Sequence, residues 1–281
     1  MKSKLLVIAL LMVMTQLLLA QKTELVVYKV IDTTKLTLKV FYPDAGKFSG
    51  KRPAFIFYFG GGWVSRSLSQ FETQAQYFAG RGMVCFIADY RVGKFNHATP
   101  FDCVMDAKSA IRFVKKNADK YGIDPDKVVA SGGSAGGHLA VATALINAYN
   151  DKNDDLAISP GPCALVLFNP VIDNGPGGYG YERIGDQYKQ FSPLHNIVKG
   201  APPTIVFLGE NDDLIPIQTM RNYKKEMENV GSRCDLFLYP GQKHGFFNQP
   251  KFKNNTMYEA DLFLSSLGYL KGKPEVKKTE E

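Results

Sequence analysis

A serine hydroxyl is a poor nucleophile at neutral pH. It needs a base within hydrogen-bond reach and a third group that fixes the base. In this chain of 281 residues one serine is set apart by its neighbours, Gly132-Gly133-Ser134-Ala135-Gly136. Small residues on both sides suit a strand that turns sharply into a helix, where larger side chains would collide and cover the hydroxyl. Attack on a carbonyl carbon is the chemistry open to Ser134 in that setting.

Four histidines compete to be its base. His244 lies in Gly241-Gln242-Lys243-His244-Gly245-Phe246, just after the last β-rich run, and a parallel sheet would bring that loop to the same edge as Ser134. His138, one turn into the helix after the serine, reads as structural, as do His97 and His195. For the acid, Asp212 and Asp213 compete within Gly209-Glu210-Asn211-Asp212-Asp213-Leu214-Ile215-Pro216, and the chain order Ser, Asp, His suits either. Phe59-Gly60-Gly61-Gly62-Trp63 follows another apolar run. The backbone N–H groups of Gly61, Gly62 and Ala135 are the candidate donors to a developing oxyanion, each typically worth ~3 kcal/mol in the transition state. A glycine triplet alone would be an ordinary turn; three such segments at three strand ends give it meaning. Trp63, Tyr179, Tyr181, Phe246 and Phe247 lie on the same set of loops and are candidate substrate contacts, with loop packing as the competing reading.

The elements that must position these groups follow from periodicity. Apolar, β-branched and aromatic runs at 25–31, 36–41, 54–59, 84–88, 128–130, 164–168, 204–208 and 236–239 read as eight strands. From the third onward they alternate with helical segments at 70–80, 101–121, 135–149, 217–230 and 257–267, which implies an α/β fold with a mostly parallel sheet covered on both faces. The first two runs, joined by Asp32-Thr33-Thr34-Lys35, suit an antiparallel hairpin at the sheet edge. Residues 169–203 break the alternation with a Gly-rich stretch and are expected to overhang the strand ends as a minimal cap.

Composition bounds the rest. With 45% hydrophobic residues, 21–271 can form one domain with its own core. Lys2 and Lys4 ahead of the apolar run 5–20 read as a secretory signal, residues 1–20, so the expected location is periplasmic or secreted, without stable membrane insertion after cleavage. The formal charge of +7 is spread along the chain, too diffuse for a nucleic-acid surface. Cys85, Cys103, Cys163 and Cys234 show no metal-binding spacing and read as buried thiols, with one disulfide left open. Residues 272–281 are charged and poor in apolar groups, so they are expected to be disordered.

On Phe59 to Trp63, Asp89-Tyr90-Arg91, Gly132 to His138, Gly209 to Pro216 and Gly241 to Phe246, the chain resembles the α/β-hydrolases of the hormone-sensitive-lipase-like branch, and within it bacterial carbohydrate esterases of the acetyl-xylan type. The resemblance spans about 40–270. It implies an α/β-hydrolase fold and a serine carboxylesterase acting on short-chain esters of small or polymeric alcohols through an acyl-enzyme, with no metal or organic cofactor. Its Gly-x-x-Asp-x-Leu-x-Pro pattern assigns the acid to Asp212. Two departures stand out. Phe59 replaces the His that usually precedes the glycine triplet, and the long N-terminal helical cap of many lipase-like members has no counterpart, which implies an open site suited to short acyl groups. Two other functions share these residues: a serine peptidase of the prolyl-oligopeptidase type, and a non-catalytic binding protein on the same scaffold.

Overall fold

The computed structural model describes residues 21–279; the expected signal sequence lies outside the described residues. Among them, eight strands form one sheet: β1 (Thr23–Ile31), β2 (Thr34–Phe41), β3 (Arg52–Tyr58), β4 (Val84–Ala88), β5 (Ile123–Gly133), β6 (Ala164–Phe168), β7 (Thr204–Gly209) and β8 (Cys234–Tyr239). Their spatial order is β1-β2-β4-β3-β5-β6-β7-β8. β1 and β2 form the antiparallel hairpin, β2 pairs antiparallel with β4, and every later pairing is parallel.

Alternation along the central strands sorts their side chains onto two faces. Ile56, Tyr58, Ala130 and Leu167 meet one face, covered by α2 (Pro100–Lys116), α3 (Ala135–Leu145) and α4 (Ile217–Asn229). Phe55, Phe57, Val129 and Val166 meet the other, covered by α1 (Glu72–Gly80) and α5 (Pro250–Ser266). Because both faces are buried, β4, β6 and β3 from Ala54 onward are continuous apolar and aromatic runs rather than alternating.

Helix ends have local causes. α2 opens on a capping box in which the Thr99 side chain accepts from the Asp102 N–H and Asp102 accepts from the Thr99 N–H, with Pro100 in the first turn. α3 stops at Leu145, short of the expected 149, because the buried Lys108 amine donates to the carbonyls of Ile146 (2.6 Å) and Ala148, and Tyr149 adopts φ 59°. α5 begins at Pro250, a full turn and more before the expected start, since the polar stretch after Pro250 hides its periodicity.

Residues 272–279 have no regular secondary structure, yet they are fastened to the body. The Glu275 and Val276 N–H groups donate to the Tyr77 hydroxyl, which itself donates to buried Asp261 at 2.6 Å, and Arg81 bonds the same carboxylate at 2.7 Å. Thr279 and Asn255 exchange two hydrogen bonds. Composition signals only the lack of apolar burial; order here comes from polar partners on α1 and α5. The four cysteines are free thiols. No helix among the described residues is long and apolar enough to cross a membrane.

Candidate active site

Sheet register brings the separate segments together. Tyr58 pairs with Gly132, so the loop after β3 starts beside the end of β5. Gly133 pairs with Phe168, and the Ser134 N–H donates to the Phe168 carbonyl at 2.9 Å, so the end of β6 abuts the serine on its other side. The loops after β7 and β8 leave together from the pair Gly209 and Tyr239.

Ser134 stands between β5 and α3 with φ 54° and ψ −120°, a backbone conformation rare for a residue with a side chain. The flanking glycines make that turn possible. A Cβ on Gly132 would lie 2.2 Å from the Gly136 carbonyl oxygen, and one on Gly136 would lie 2.1 Å from that of Tyr58. The turn therefore packs backbone directly on backbone and leaves the serine side chain outside.

The Ser134 Oγ lies 2.9 Å from His244 Nε2, and His244 Nδ1 lies 2.8 Å from Asp212 Oδ2. The second Asp212 oxygen accepts from the N–H groups of Leu214 and Ile215, each at 2.9 Å, so the wholly buried carboxylate is held at both ends. Asp213, which the residues alone left in competition, is exposed. This connected hydroxyl, imidazole and carboxylate can pass a proton from Ser134 to the ring while the carboxylate balances the charge.

Around the glycine loop, each peptide is held by a different neighbour. The Phe59 carbonyl accepts from the Tyr90 hydroxyl (2.6 Å) and the Gly60 N–H donates to Gln70 Oε1 (2.6 Å), which fixes the first peptide at both ends. The Gly61 carbonyl accepts from the Val64 and Ser65 N–H groups, and the Gly62 carbonyl accepts from Arg183 Nη1 at 2.5 Å. Gly61 and Gly62 both have positive φ. No group among the described residues accepts from the Gly61, Gly62 or Ala135 N–H, so these three donors remain available to an oxyanion. Phe59, which replaces the usual His, stacks on Tyr90 with ring centres 4.1 Å apart, and this pair braces the loop instead. Burial pushes the Tyr90 hydroxyl well above the ordinary phenol range, which keeps it a donor.

The Asp89-Tyr90-Arg91 segment thus works in three directions. Asp89 pairs with Arg66 and, through burial, is raised to about 6; Tyr90 holds the glycine loop; Arg91 bonds Asp106 at 2.8 Å. His138 is fully buried, and burial pushes it down to about 3, so it is neutral and its Nε2 pairs with the Phe191 carbonyl at 3.0 Å. That bond ties α3 to the cap, as its structural reading requires. His97 and His195 are exposed.

Three of the aromatic candidates are corrected. Trp63 and Phe246 are each 1% exposed, as is Phe247, and show no free ring face to a substrate. Trp63 is enclosed by His138, Tyr179, Phe191 and the Arg183 guanidinium, while Phe246 packs on Tyr239 and Phe252. An aromatic residue on a loop reads alike in sequence whether it faces in or out. Tyr179 and Tyr181 stay half-buried on the cap, Tyr179 with its hydroxyl 2.7 Å from where a Gly62 Cβ would stand.

Four contributors carry no sequence signal of their own: Gln70, Tyr90 as a loop brace, Arg183 and Asn169. Asn169 directly follows β6, accepts from the Gly245 N–H, and lies 3.2 Å from His244 Nε2. Among the described residues no group of three or more His, Cys, Asp or Glu is placed to hold a metal ion.

A parallel sheet of this order, with a strained serine turn at its centre and the imidazole and carboxylate on later strand ends, is the α/β-hydrolase architecture. Two family models match adjoining parts of the chain, one described as BD-FAE over residues 38–174 and the dienelactone hydrolase family over residues 163–271. Among solved structures, esterase 2 of Thermogutta terrifontis phosphoramylated by tabun superposes with a TM-score of 0.85 at 44% identity, covering 89% of this chain and 97% of that one. The acetylxylan esterase of Xylanibacter ruminicola is 28% identical over 259 residues, 86% of this chain and 50% of that protein. Esterase LipC of Mycobacterium tuberculosis is 28% identical over 221 residues, 69% and 53% of the two chains. The chain belongs to the α/β-hydrolase esterases. It spans about half the length of the curated relatives it matches.

Proposed function

We propose that this chain is a serine carboxylesterase that hydrolyses short-chain, acetyl-type esters, with carbohydrate alcohols among its substrates, through an acyl-enzyme. The observation that carries this reading is the unbroken series from Ser134 Oγ through His244 to Asp212. Ser134 attacks the ester carbonyl as His244 Nε2 takes its proton. Asp212 holds the ring through Nδ1 and stabilises its cationic form. The Gly61, Gly62 and Ala135 N–H groups meet the oxyanion. The Nε2 proton then passes to the departing alkoxide, and a water deprotonated by the same nitrogen releases the acid and restores Ser134.

The short acyl preference draws on a small cap made of single helical turns, Tyr181–Ile184 and Tyr188–Phe191, and two 3-10 turns. Related structures agree in kind: the Thermogutta terrifontis esterase has been solved with propionate and with butyrate bound, and phosphorylated by paraoxon. The carbohydrate alcohol is suggested by the acetylxylan esterase relative, and of the aromatic residues considered Tyr179 and Tyr181 remain able to meet a sugar. Export through residues 1–20 belongs to the same proposal.

A series of nitrophenyl esters from acetate to palmitate tests it, with peptide nitroanilides alongside. The highest kcat/KM is expected between acetate and butyrate; a maximum at palmitate, or a preference for the anilides, would overturn it.

Arg183 joins the cap to the oxyanion loop, since its guanidinium bonds the Gly62 carbonyl and lies over the Trp63 and Tyr179 rings. Replacing Arg183 with Met removes a charge-assisted hydrogen bond worth about 1.5–3 kcal/mol where fully expressed. We expect kcat for nitrophenyl acetate to fall about tenfold, with KM changed less than about twofold, because loop geometry matters most in the transition state. A rise in KM alone would place Arg183 in substrate binding instead.

A further inference from the structure

Asn169 sits between the serine and histidine loops, wholly buried, with its backbone at φ 34° and its N–H donated to the Phe207 carbonyl at 2.7 Å. The Gly245 N–H lies 3.1 Å from Asn169 Oδ1. A backbone N–H can only donate, so the amide oxygen must face Gly245, and the amide nitrogen is thereby turned toward His244 Nε2 at 3.2 Å. An amide nitrogen can only donate as well. That contact is favourable only while Nε2 presents a lone pair.

From this geometry we infer that Asn169 is a positioning residue that holds His244 in the form whose Nε2 accepts the serine proton. The inference rests on the proposed roles of Ser134, His244 and Asp212. Nε2 faces two donors, Ser134 Oγ and Asn169 Nδ2, while Nδ1–H is committed to Asp212. Once Ser134 is acylated it has no proton to donate, and Asn169 is the remaining protein donor on Nε2, steadying the ring until water arrives. After proton transfer, Nε2–H opposes the Asn169 N–H, which favours passing the proton to the departing alkoxide. Asn169 itself neither gains nor loses a proton. The charged group bonded to the ring is Asp212; Lys243 on the ring's own loop and Glu210 and Asp213 on the acid loop are exposed, and the elbow and the residue after β6 present only uncharged Ser134 and Asn169 to Nε2.

Asn169→Asp separates this role from scaffolding. It preserves shape and an oxygen for the Gly245 N–H, but sets an acceptor against Nε2. The acid limb of the pH profile of kcat/KM is expected to move up by at least about one pH unit, as a carboxylate beside an imidazole favours its protonated form. Asn169→Gly, which tolerates positive φ and removes the amide, is expected to lower kcat about three- to tenfold with no upward move of that limb. In the unsubstituted protein, 15N NMR above pH 8 is expected to show His244 protonated on Nδ1 with a bare, hydrogen-bonded Nε2, a readout that needs no variant. An unmoved limb in Asn169→Asp, or an Nε2–H tautomer, would overturn the inference. If the unsubstituted protein fails to react with a fluorophosphonate at Ser134, the underlying serine mechanism fails; if it reacts normally and the limb is unmoved, only the role of Asn169 does.

Discussion

Replacing Ser134 with Ala is expected to lower kcat toward nitrophenyl acetate by about 10⁶-fold, to the residual rate sustained by binding and oxyanion donors alone. Its Oγ is the one atom that differs, and that atom is bonded to His244 Nε2 at 2.9 Å. The turn that presents it is built from neighbouring backbone: Gly132 against Gly136, and Gly136 against Tyr58 and Phe59. Alanine leaves all of this in place, so the melting temperature should stay within a few degrees of the parent. Steady-state kinetics paired with a thermal melt checks both halves. A variant that keeps about a tenth of the parent activity would show that another group attacks the ester.

The second large effect separates two adjacent carboxylates. Asp212→Asn is expected to lower kcat by about 10⁴-fold, and Asp213→Asn to leave it within about twofold. Asp212 accepts three hydrogen bonds, from His244 Nδ1 and from the Leu214 and Ile215 N–H groups. An amide in its place must point its NH₂ either at the ring or at those backbone donors. The first choice forces His244 to carry its proton on Nε2, the nitrogen that must be bare; the second breaks the turn that holds the acid loop. Asp213 is exposed and free of that constraint. Kinetics of the two variants at one pH, with a common ester, gives the comparison. Equal losses would remove Asp212 from its proposed role.

The parts of this site that were legible in sequence are those where chemistry is written into consecutive residues. Glycines around Ser134 are demanded by backbone approaches of about 2 Å had they carried a Cβ, and His244 and Asp212 follow strands whose apolar composition is plain. What escaped is what depends on register between distant strands. Asn169 reaches His244 only because β6 lies between β5, which leads into Ser134, and the β7–β8 pair, which leads into the acid and histidine loops, and Arg183 reaches Gly62 across 121 positions of chain. Neither has a spacing that marks it. Trp63 and Phe246 were visible as aromatic loop residues, but the side to which each ring turns is decided by Phe191, His138, Tyr239 and Phe252, residues from elsewhere in the chain. The tail's composition counts apolar groups and is blind to the Tyr77 hydroxyl and Asn255 amide that bond its backbone.

The same logic explains why Phe59 is compatible with an ordered glycine loop. A histidine would brace the loop by hydrogen bonding; here the Phe59 ring stacks on Tyr90 while the Tyr90 hydroxyl bonds the Phe59 carbonyl, so one residue supplies both packing and a donor. The first peptide of the loop is fixed without a polar side chain at position 59.

The central claim, that His244 activates Ser134 for attack, is tested most directly by treating the protein with a fluorophosphonate and mapping the adduct by peptide mass spectrometry. One adduct per chain is expected, on Ser134, with labelling slowed by several orders of magnitude in His244→Ala. An unmodified Ser134, an adduct on another residue, or undiminished labelling without the imidazole would contradict it.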